Sequence, residues 1–354
     1  MTWLADVFRR VFQFFFRMVP CPTETRVIVV GRPDRRSPVL LTTNCDFTVR
    51  RVMRALRGLN CYLLVAPAGG LDVWCAAAGG RLTIDSVISI LKTSRIAELV
   101  DHRRMLLPKL AAAGINIFEL RRRTGWFAAF GPVTVEQVPE YLVSRKPNAA
   151  ASRVGFSIEE RVEMASAMWG SLGLRFSLFP VLLMGWPALP WFLSVLLFLS
   201  MAVSLGCFRL PGKTFVQKAA LPGIILTGAA VAGLSARGHL HLAPLAATVL
   251  LIGFASFLVG SSFPSYSPYW PCGYSRLFYG ACDLKVSVIE EQCIGCRVCD
   301  QVCPVDCFAP TARRTMEVRN PDHCVGCGAC LIQCPTDAIV NDIAVAHRKE
   351  SVCA

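Results

Sequence analysis

Two kinds of hydrophobic pattern divide the first three quarters of the chain. Between residues 26 and 145 the apolar positions fall in short runs separated by turn residues. Arg26–Gly31, Val39–Thr43 and Cys61–Pro67 read as strands, Phe47–Gly58 as a basic helix, and Gly69-Gly70 as a turn. Ser86–Thr93 and Met105–Ala113 read as helices, Ile115–Leu120 and Trp126–Phe130 as strands, and Val135–Val143 as a closing helix. Alternating strands and helices predict an α/β domain with a mostly parallel sheet and helices on both faces. Neither GxGxxG nor GxxxxGK[ST] occurs, so nothing supports a nucleotide site.

The second pattern is continuous. From Leu172 to Phe208 only Arg175 is charged, and Pro187 and Pro190 divide this stretch in two. Further apolar segments run from Ala219 to Ala236 and from Leu242 to Val259. A membrane span needs ~20 apolar residues, ~17 at the lower edge. The pattern predicts about four spans, the first and shortest lying roughly over Leu174–Trp186. A large buried helical bundle is the competing reading, but residues 171–262 contain no Asp or Glu. The first twenty residues scatter Arg9, Arg10 and Arg17 among Trp3, Leu4, Val7, Phe8, Phe12 and Phe14–Phe16, with no clean apolar core and no small-residue cleavage site. They suit an interfacial amphipathic helix, or equally a first helix packed on its neighbours.

Composition adds two exclusions. Over 354 residues, 54% are hydrophobic and 17% charged, which rules out a disordered chain and a small disulfide-stapled domain. Charge then sets a predicted topology. Residues 1–170 carry +10, residues 171–262 carry +5 and residues 263–354 carry −2. The loop between the second and third apolar segments holds Arg209, Lys213 and Lys218, the next loop only Arg237, and the first loop no charge. Lys and Arg favour the cytoplasmic side. The expectation is a multi-pass protein of the cytoplasmic membrane, embedded in lipid, with both soluble domains facing the cytoplasm. No interleaved aromatic and basic motif suggests nucleic acid as a partner.

The chemistry lies in the seventeen cysteines. Eight form a repeat: Cys293-x2-Cys296-x2-Cys299-x3-Cys303-Pro304, then Cys324-x2-Cys327-x2-Cys330-x3-Cys334-Pro335. This C-x2-C-x2-C-x3-C-P spacing is the bacterial ferredoxin run, whose fourth cysteine serves the other cluster. It assigns one [4Fe–4S] cluster to Cys293, Cys296, Cys299 and Cys334, and a second to Cys324, Cys327, Cys330 and Cys303. Gly295 and Gly326 stand where each loop must turn tightly. Structural zinc and disulfides fit less well, since zinc sites use pairs of CxxC rather than tandem four-cysteine runs. Such a domain carries single electrons and needs a low-potential donor. Cys307 and the penultimate Cys353 are additional, and Cys353 is a candidate soft-metal ligand. Cys272 and Cys282 have no assigned role.

One further segment stands out: Leu71-Asp72-Val73-Trp74-Cys75-Ala76-Ala77-Ala78-Gly79-Gly80. By spacing alone Cys75 reads as a core cysteine. However, Val73-Trp74-Cys75-Ala76-Ala77 resembles the cap-helix motif N-V-W-C-A-(A/G)-G-K of the mercury-methylating corrinoid proteins. The soluble domain of that family is related to the corrinoid-binding domain of the corrinoid iron–sulfur protein of acetyl-CoA synthesis. Ser37-Pro38-Val39-Leu40-Leu41-Thr42-Thr43-Asn44, His102–Leu110, Gly114 and Phe130-Gly131-Pro132-Val133 also resemble it. The likeness covers roughly residues 25–145. In that family a membrane domain follows, and a small two-cluster ferredoxin is a separate partner, so this chain looks like both partners fused. Asp72 stands where the family has Asn, and Ala78-Gly79 where it has Gly-Lys.

The resemblance implies a cobalamin-type corrinoid, with Cys75 as cobalt ligand and catalytic residue. It implies corrinoid contacts from Thr43, Asn44, Asp72, Val73, Trp74, Ala76 and Ala77, and a close helix approach through Trp74 and Ala76–Ala78. It further implies Hg(II) as methyl acceptor, a methyl-donating methyltransferase as partner, and metal delivery by Cys353 with Cys307. The competing readings are a membrane-anchored ferredoxin-type electron-transfer protein, and a corrinoid methyltransferase for another acceptor. The predicted organisation is an N-terminal amphipathic segment (1–24), the corrinoid-binding α/β domain (25–165), the α-helical membrane domain (170–262), a linker (263–284), the α+β two-cluster ferredoxin domain (285–345) and a cysteine-bearing tail (346–354).

Overall fold

The run Cys61–Ala66 is buried at every position. A strand covered on both faces of a parallel sheet has to be apolar throughout, and this one sits second in the sheet. The computed structural model of the chain describes residues 3–16, 19–144, 153–155, 157–212, 214–236, 241–266 and 286–341. Cys272, Cys282 and Cys353 lie outside the described residues.

Helix α1 (Trp3–Phe15) opens the chain. The α/β portion follows as β1 (Val27–Val30), β2 (Val39–Thr43), α2 (Asp46–Ala55), β3 (Cys61–Ala66), α3 (Val73–Ala78), α4 (Ile84–Thr93), α5 (Ile96–Leu99), β4 (Arg104–Leu107), a 3-10 turn (Lys109–Ala113), α6 (Ile117–Thr124), β5 (Phe127–Phe130) and α7 (Val138–Ser144). The strand order is β1-β3-β2-β4-β5. All pairings are parallel except the edge strand β1, which runs antiparallel to β3 with Val27 opposite Leu64. Alternate strand residues feed two cores. Leu41, Leu64 and Met105 meet α3, α4 and α6 on one face. Leu40, Leu63 and Val30 meet α2 and α7 on the other.

Two elements differ from the sequence expectation. Met105–Ala113, expected as one helix, divides at Pro108 into strand β4 and the Ala-rich 3-10 turn. Its first residues pair with β2 and β5, and Pro108 has no N–H to continue either element. Ile115–Leu120, expected as a strand, is instead the start of α6. The Asn116 side chain accepts hydrogen bonds from the N–H of Phe118 and Glu119 at 2.9 and 3.0 Å. Gly125, at φ 74°, ends the helix. Short apolar runs do not distinguish strand from helix, and here the N-cap decides.

The apolar middle forms α8 (Ile158–Phe176), α9 (Leu178–Met184), α10 (Ala188–Gly206), α11 (Phe215–Ala236) and α12 (Leu242–Tyr266). A Ser157/Glu160 capping box starts α8. The expected short span over Leu174–Trp186 is therefore the end of a longer element that begins at Ile158 and bends by 52° between α8 and α9. Pro180 accounts for the bend, because its ring opposes the carbonyl of Phe176 four residues earlier. Among the described residues three helices are long and apolar enough to cross a membrane, or up to four if the bent pair is one span.

The C-terminal portion contains β6 (Val286–Val288), α13 (Val298–Val302), β7 (Phe308–Pro310), β8 (Met316–Val318), α14 (Ala329–Gln333) and β9 (Ile339–Asn341). β6 pairs with β9 and β7 with β8, both antiparallel. The described residues within 1–19 and 156–282 form one compact unit, and those within 20–155 and 283–354 form another. The α/β and C-terminal portions thus share one unit although the apolar helices separate them in sequence. The apolar unit is knit by contacts such as Phe15 edge-on to Trp169 at 5.6 Å and the Trp169 indole N–H donating to the Leu193 carbonyl at 2.8 Å.

Candidate functional site

Helix α3 begins at the carboxyl ends of parallel strands β2 and β3, the edge where open α/β sheets bind ligands. Asn44, just beyond β2, builds this edge. Its side-chain oxygen accepts the N–H of Ala68 at 2.9 Å and of Gly70 at 3.0 Å, fixing the loop into α3. Gly70 sits at φ 76°, and a Cβ there would lie 2.6 Å from the Pro22 nitrogen. Asp72 is the N-cap of α3, its carboxylate accepting the Cys75 N–H at 3.0 Å. Asp at this position therefore does the capping that Asn would do.

The helix has two faces. Val73, Ala76 and Ala77 are buried in the core. Trp74, Cys75 and Ala78 are partly exposed on the other side. Cys75 is thus not a core cysteine. Ala76 and Ala77, expected to let the helix approach a flat cofactor, support the helix from behind, and Ala78 shares the Cys75 side with Trp74. Gly79 follows, where a Cβ would lie 2.7 Å from the Cys75 carbonyl oxygen.

Whether these residues suit a corrinoid is tested by the polar atoms around them. The hydroxyls of Thr42 and Thr43, at the end of β2, are buried without a hydrogen-bond partner. Buried hydroxyls are ordinarily satisfied, and of the two Thr43 lies on the sheet face that α3 covers, alternating with Leu41, while Thr42 alternates with Leu40 on the opposite face. The Cys75 thiol is a soft donor, and together with the unpartnered Thr43 hydroxyl it is compatible with a soft-metal macrocycle. Asn44, by contrast, spends its oxygen on the loop and gives its amide N–H to the Thr23 carbonyl at 3.3 Å.

The C-terminal cysteines gather into two cavities. One is lined by Cys293, Cys296, Cys299 and Cys334. The other is lined by Cys303, Cys307, Cys324, Cys327 and Cys330. The fourth cysteine of each run is therefore brought to the first three of the other. Gly295 and Gly326 turn at φ 66° and 65°, and a Cβ on Gly295 would lie 1.9 Å from the Arg314 carbonyl oxygen. Backbone N–H groups point at sulfur: Cys307 to Cys303 at 3.3 Å, Ala338 to Cys334 at 3.2 Å, Met316 to Cys293 and Gly326 to Cys324 both at 3.4 Å. Among the described residues no three Cys, His, Asp or Glu side chains converge on a single ion position. Four thiols spread around a cavity, with amides aimed at their sulfurs, suit a cubane that takes one thiolate per iron.

Cys307 is the residue that spacing did not place. It occupies the position equivalent to Ala338 and is 1% exposed. Its thiol is raised well above its ordinary range, because it donates hydrogen bonds to the sulfurs of Cys303 and Cys324. The same bond, followed by backbone donors, pulls Cys303 down to about 6. Burial pushes Cys299 up to about 12. So enclosed a residue does not reach solvent.

Comparison with known proteins defines the class of each module. Residues 17–142 match the family described as CO dehydrogenase/acetyl-CoA synthase delta subunit, and residues 317–340 match the 4Fe-4S binding domain. The chain therefore carries one domain of each class, and the second match covers the Cys324–Cys334 run. Among curated relatives, the acetyl-CoA decarbonylase/synthase complex subunit gamma of Methanopyrus kandleri is 34% identical over 125 residues, covering 35% of this chain and 27% of the relative. That of Methanocaldococcus jannaschii is 33% identical over 125 residues, covering 35% and 25%. The subunit gamma 2 of Methanosarcina thermophila is 33% identical over 132 residues, covering 36% and 28%. This chain spans about a quarter of the length of these relatives.

Proposed function

We propose that this chain is a membrane-bound, corrinoid-dependent methyltransferase that carries its own two-cluster electron donor, with Hg(II) as the methyl acceptor. The observation that carries this reading is Cys75, a partly exposed thiol on a capped helix at the ligand-binding edge of the sheet, within a domain of the acetyl-CoA synthase class.

A bound corrinoid would supply a cobalt-held methyl group, whose reactivity the protein would tune through the residue that ligates the cobalt. Cys75 would be that ligand, with Thr43 and Trp74 beside it. An electron-rich thiolate favours departure of the methyl group with its bonding pair, which suits an electrophile such as Hg(II). Each such transfer would leave the bound group two electrons short, to be restored before it could take another methyl cation. The eight cysteines would hold two [4Fe–4S] clusters that return them one at a time, refilled by an external low-potential donor. A separate enzyme carrying a methylated folate-type cofactor would supply the methyl cation. The tail residue Cys353 would present the soft metal ion.

The helices that could cross a membrane, together with the loop charges, support a four-span topology with both redox modules on the cytoplasmic side. The altered residues Ala78 and Gly79, lying next to Cys75, favour a second reading in which the corrinoid chemistry is kept and another acceptor is used.

Anaerobic expression with a corrinoid, followed by the visible spectrum and an assay for methylmercury, tests both. The expected result is a cobalt–thiolate band in the wild type that is lost in Cys75→Ala. A wild type without bound corrinoid leaves only a membrane-anchored electron-transfer protein. Bound corrinoid without methylmercury selects a different acceptor.

A further inference from the structure

The two redox modules meet on a built surface. The side chain of Gln333, fully buried, lies immediately before the cluster cysteine Cys334. Its amide N–H groups donate to the carbonyls of Ala112 at 2.9 Å and Ile115 at 2.6 Å, and its oxygen accepts the N–H of Ile117 at 3.2 Å. Those backbone groups are the unpaired end of the 3-10 turn and the first turn of α6, where an outside partner is needed. One glutamine side chain has the two donors and the acceptor they require. In return, the Asn116 amide N–H donates to the Ile332 carbonyl at 2.6 Å.

Around these bonds the apolar core is continuous. Val302 and Ala329 of the C-terminal portion are buried in the same cluster as Ala76, Ala112 and Leu64, and the cluster ligand Cys327 packs against it. The 3-10 turn touches α13 and α14 on one side and α3, the Cys75 helix, on the other. The approach to α3 is close. A Cβ on Gly114 would lie 2.4 Å from the Leu82 carbonyl oxygen and 2.9 Å from that of Ala77. Away from this surface, Cys296 is exposed beside Ile294, which is 67% exposed.

We infer that Gln333 and Asn116 are the positioning pair of a permanent electron-transfer interface within the chain. Resting on the function proposed above, this gives the electrons a direction. One electron at a time enters at the cluster held through exposed Cys296. It passes to the cluster held through Cys327, leaves across residues 109–114 and reaches the group on the Cys75 helix. The donor cluster is oxidised by one electron as the acceptor gains one, and no diffusing encounter between the modules is needed.

The test uses the full chain with its clusters loaded anaerobically. Gln333→Glu sets a carboxylate against the Ala112 and Ile115 carbonyls. Cluster spectra should stay unchanged, because the side chain is no iron ligand. Hydrogen exchange of the amides in 111–117 should speed up on the order of tenfold. After flash reduction of the clusters, electron arrival at bound corrinoid should slow on the order of tenfold or more. Unchanged exchange in 111–117 overturns the interface, and altered exchange with an unchanged arrival rate overturns the route. Asn116→Ala supplies the same comparison should Gln333→Glu lose its clusters. A wild type that binds no corrinoid defeats the methyl-transfer reading alone, since the exchange pattern still decides the docking.

Discussion

The carboxylate of Asp72 accepts the backbone N–H of Cys75 at 3.0 Å, so the residue that starts the six-residue helix α3 also fixes the backbone of its thiol. A helix this short has too few internal hydrogen bonds to hold itself and depends on its cap and on the burial of Val73, Ala76 and Ala77. Asp72→Asn, which restores the residue of the resembling family, should leave thermal stability and corrinoid binding unchanged. Asp72→Ala should cost about 1 kcal/mol and loosen corrinoid retention. Thermal denaturation and equilibrium dialysis check both. Equal behaviour of the two variants would show that the cap is unimportant.

The crossing of the two cysteine runs makes a second prediction. Cys334→Ala should disturb the cluster built on the Cys293–Cys299 loop, not the one on its own run. Cys303→Ala should disturb the cluster on the Cys324–Cys330 loop. Iron analysis with electron paramagnetic resonance of the reduced protein separates the two. If each variant lost the signal of its own run instead, the assignment would be reversed.

Gly114 should be among the least replaceable residues of the α/β domain. Its φ of −131° is open to any residue, so the constraint is space. The Leu82 and Ala77 carbonyls leave no room for a methyl group. Gly114→Ala should destabilise the protein by about 1–3 kcal/mol through overpacking. It should do so far more than Gly155→Ala, where the added methyl group meets nothing within 4 Å and φ is not left-handed. Chemical denaturation of the two variants compares them.

The sequence disclosed those parts of the architecture that depend on spacing. The cysteine repeat carried the ferredoxin pattern, and the buried runs Val39–Thr43 and Cys61–Ala66 gave the central strands. Residues 105–120 misled, because Ala-rich and Ile-rich segments obey no clear period. There the N–H groups of Phe118 and Glu119 find Asn116, and Arg104–Leu107 finds strand partners far along the chain. The side of α3 that Ala76 and Ala77 occupy was equally hidden, since a run of three alanines has no amphipathic signature. Gln333 gave no signal either. Its partners lie more than 200 positions earlier in the chain, and a lone glutamine between an isoleucine and a cysteine predicts nothing.

The hydrogen bonds between Gln333 and residues 112–117 also constrain how the chain can be threaded through a bilayer. Their two sides are separated in sequence by α8 to α12, yet they are in contact, so in a bilayer both would have to lie in one aqueous phase. A polypeptide returns to the side it left only after an even number of crossings. Three crossings would pull the unit apart. If α10, α11 and α12 all span, the expected outcome is that the bent pair α8–α9 makes a fourth passage, which labelling of introduced cysteines from either side of the membrane would check. In that arrangement the bend between α8 and α9 would lie within a span, and the even number of crossings would be demanded by a glutamine that belongs to none of the apolar helices.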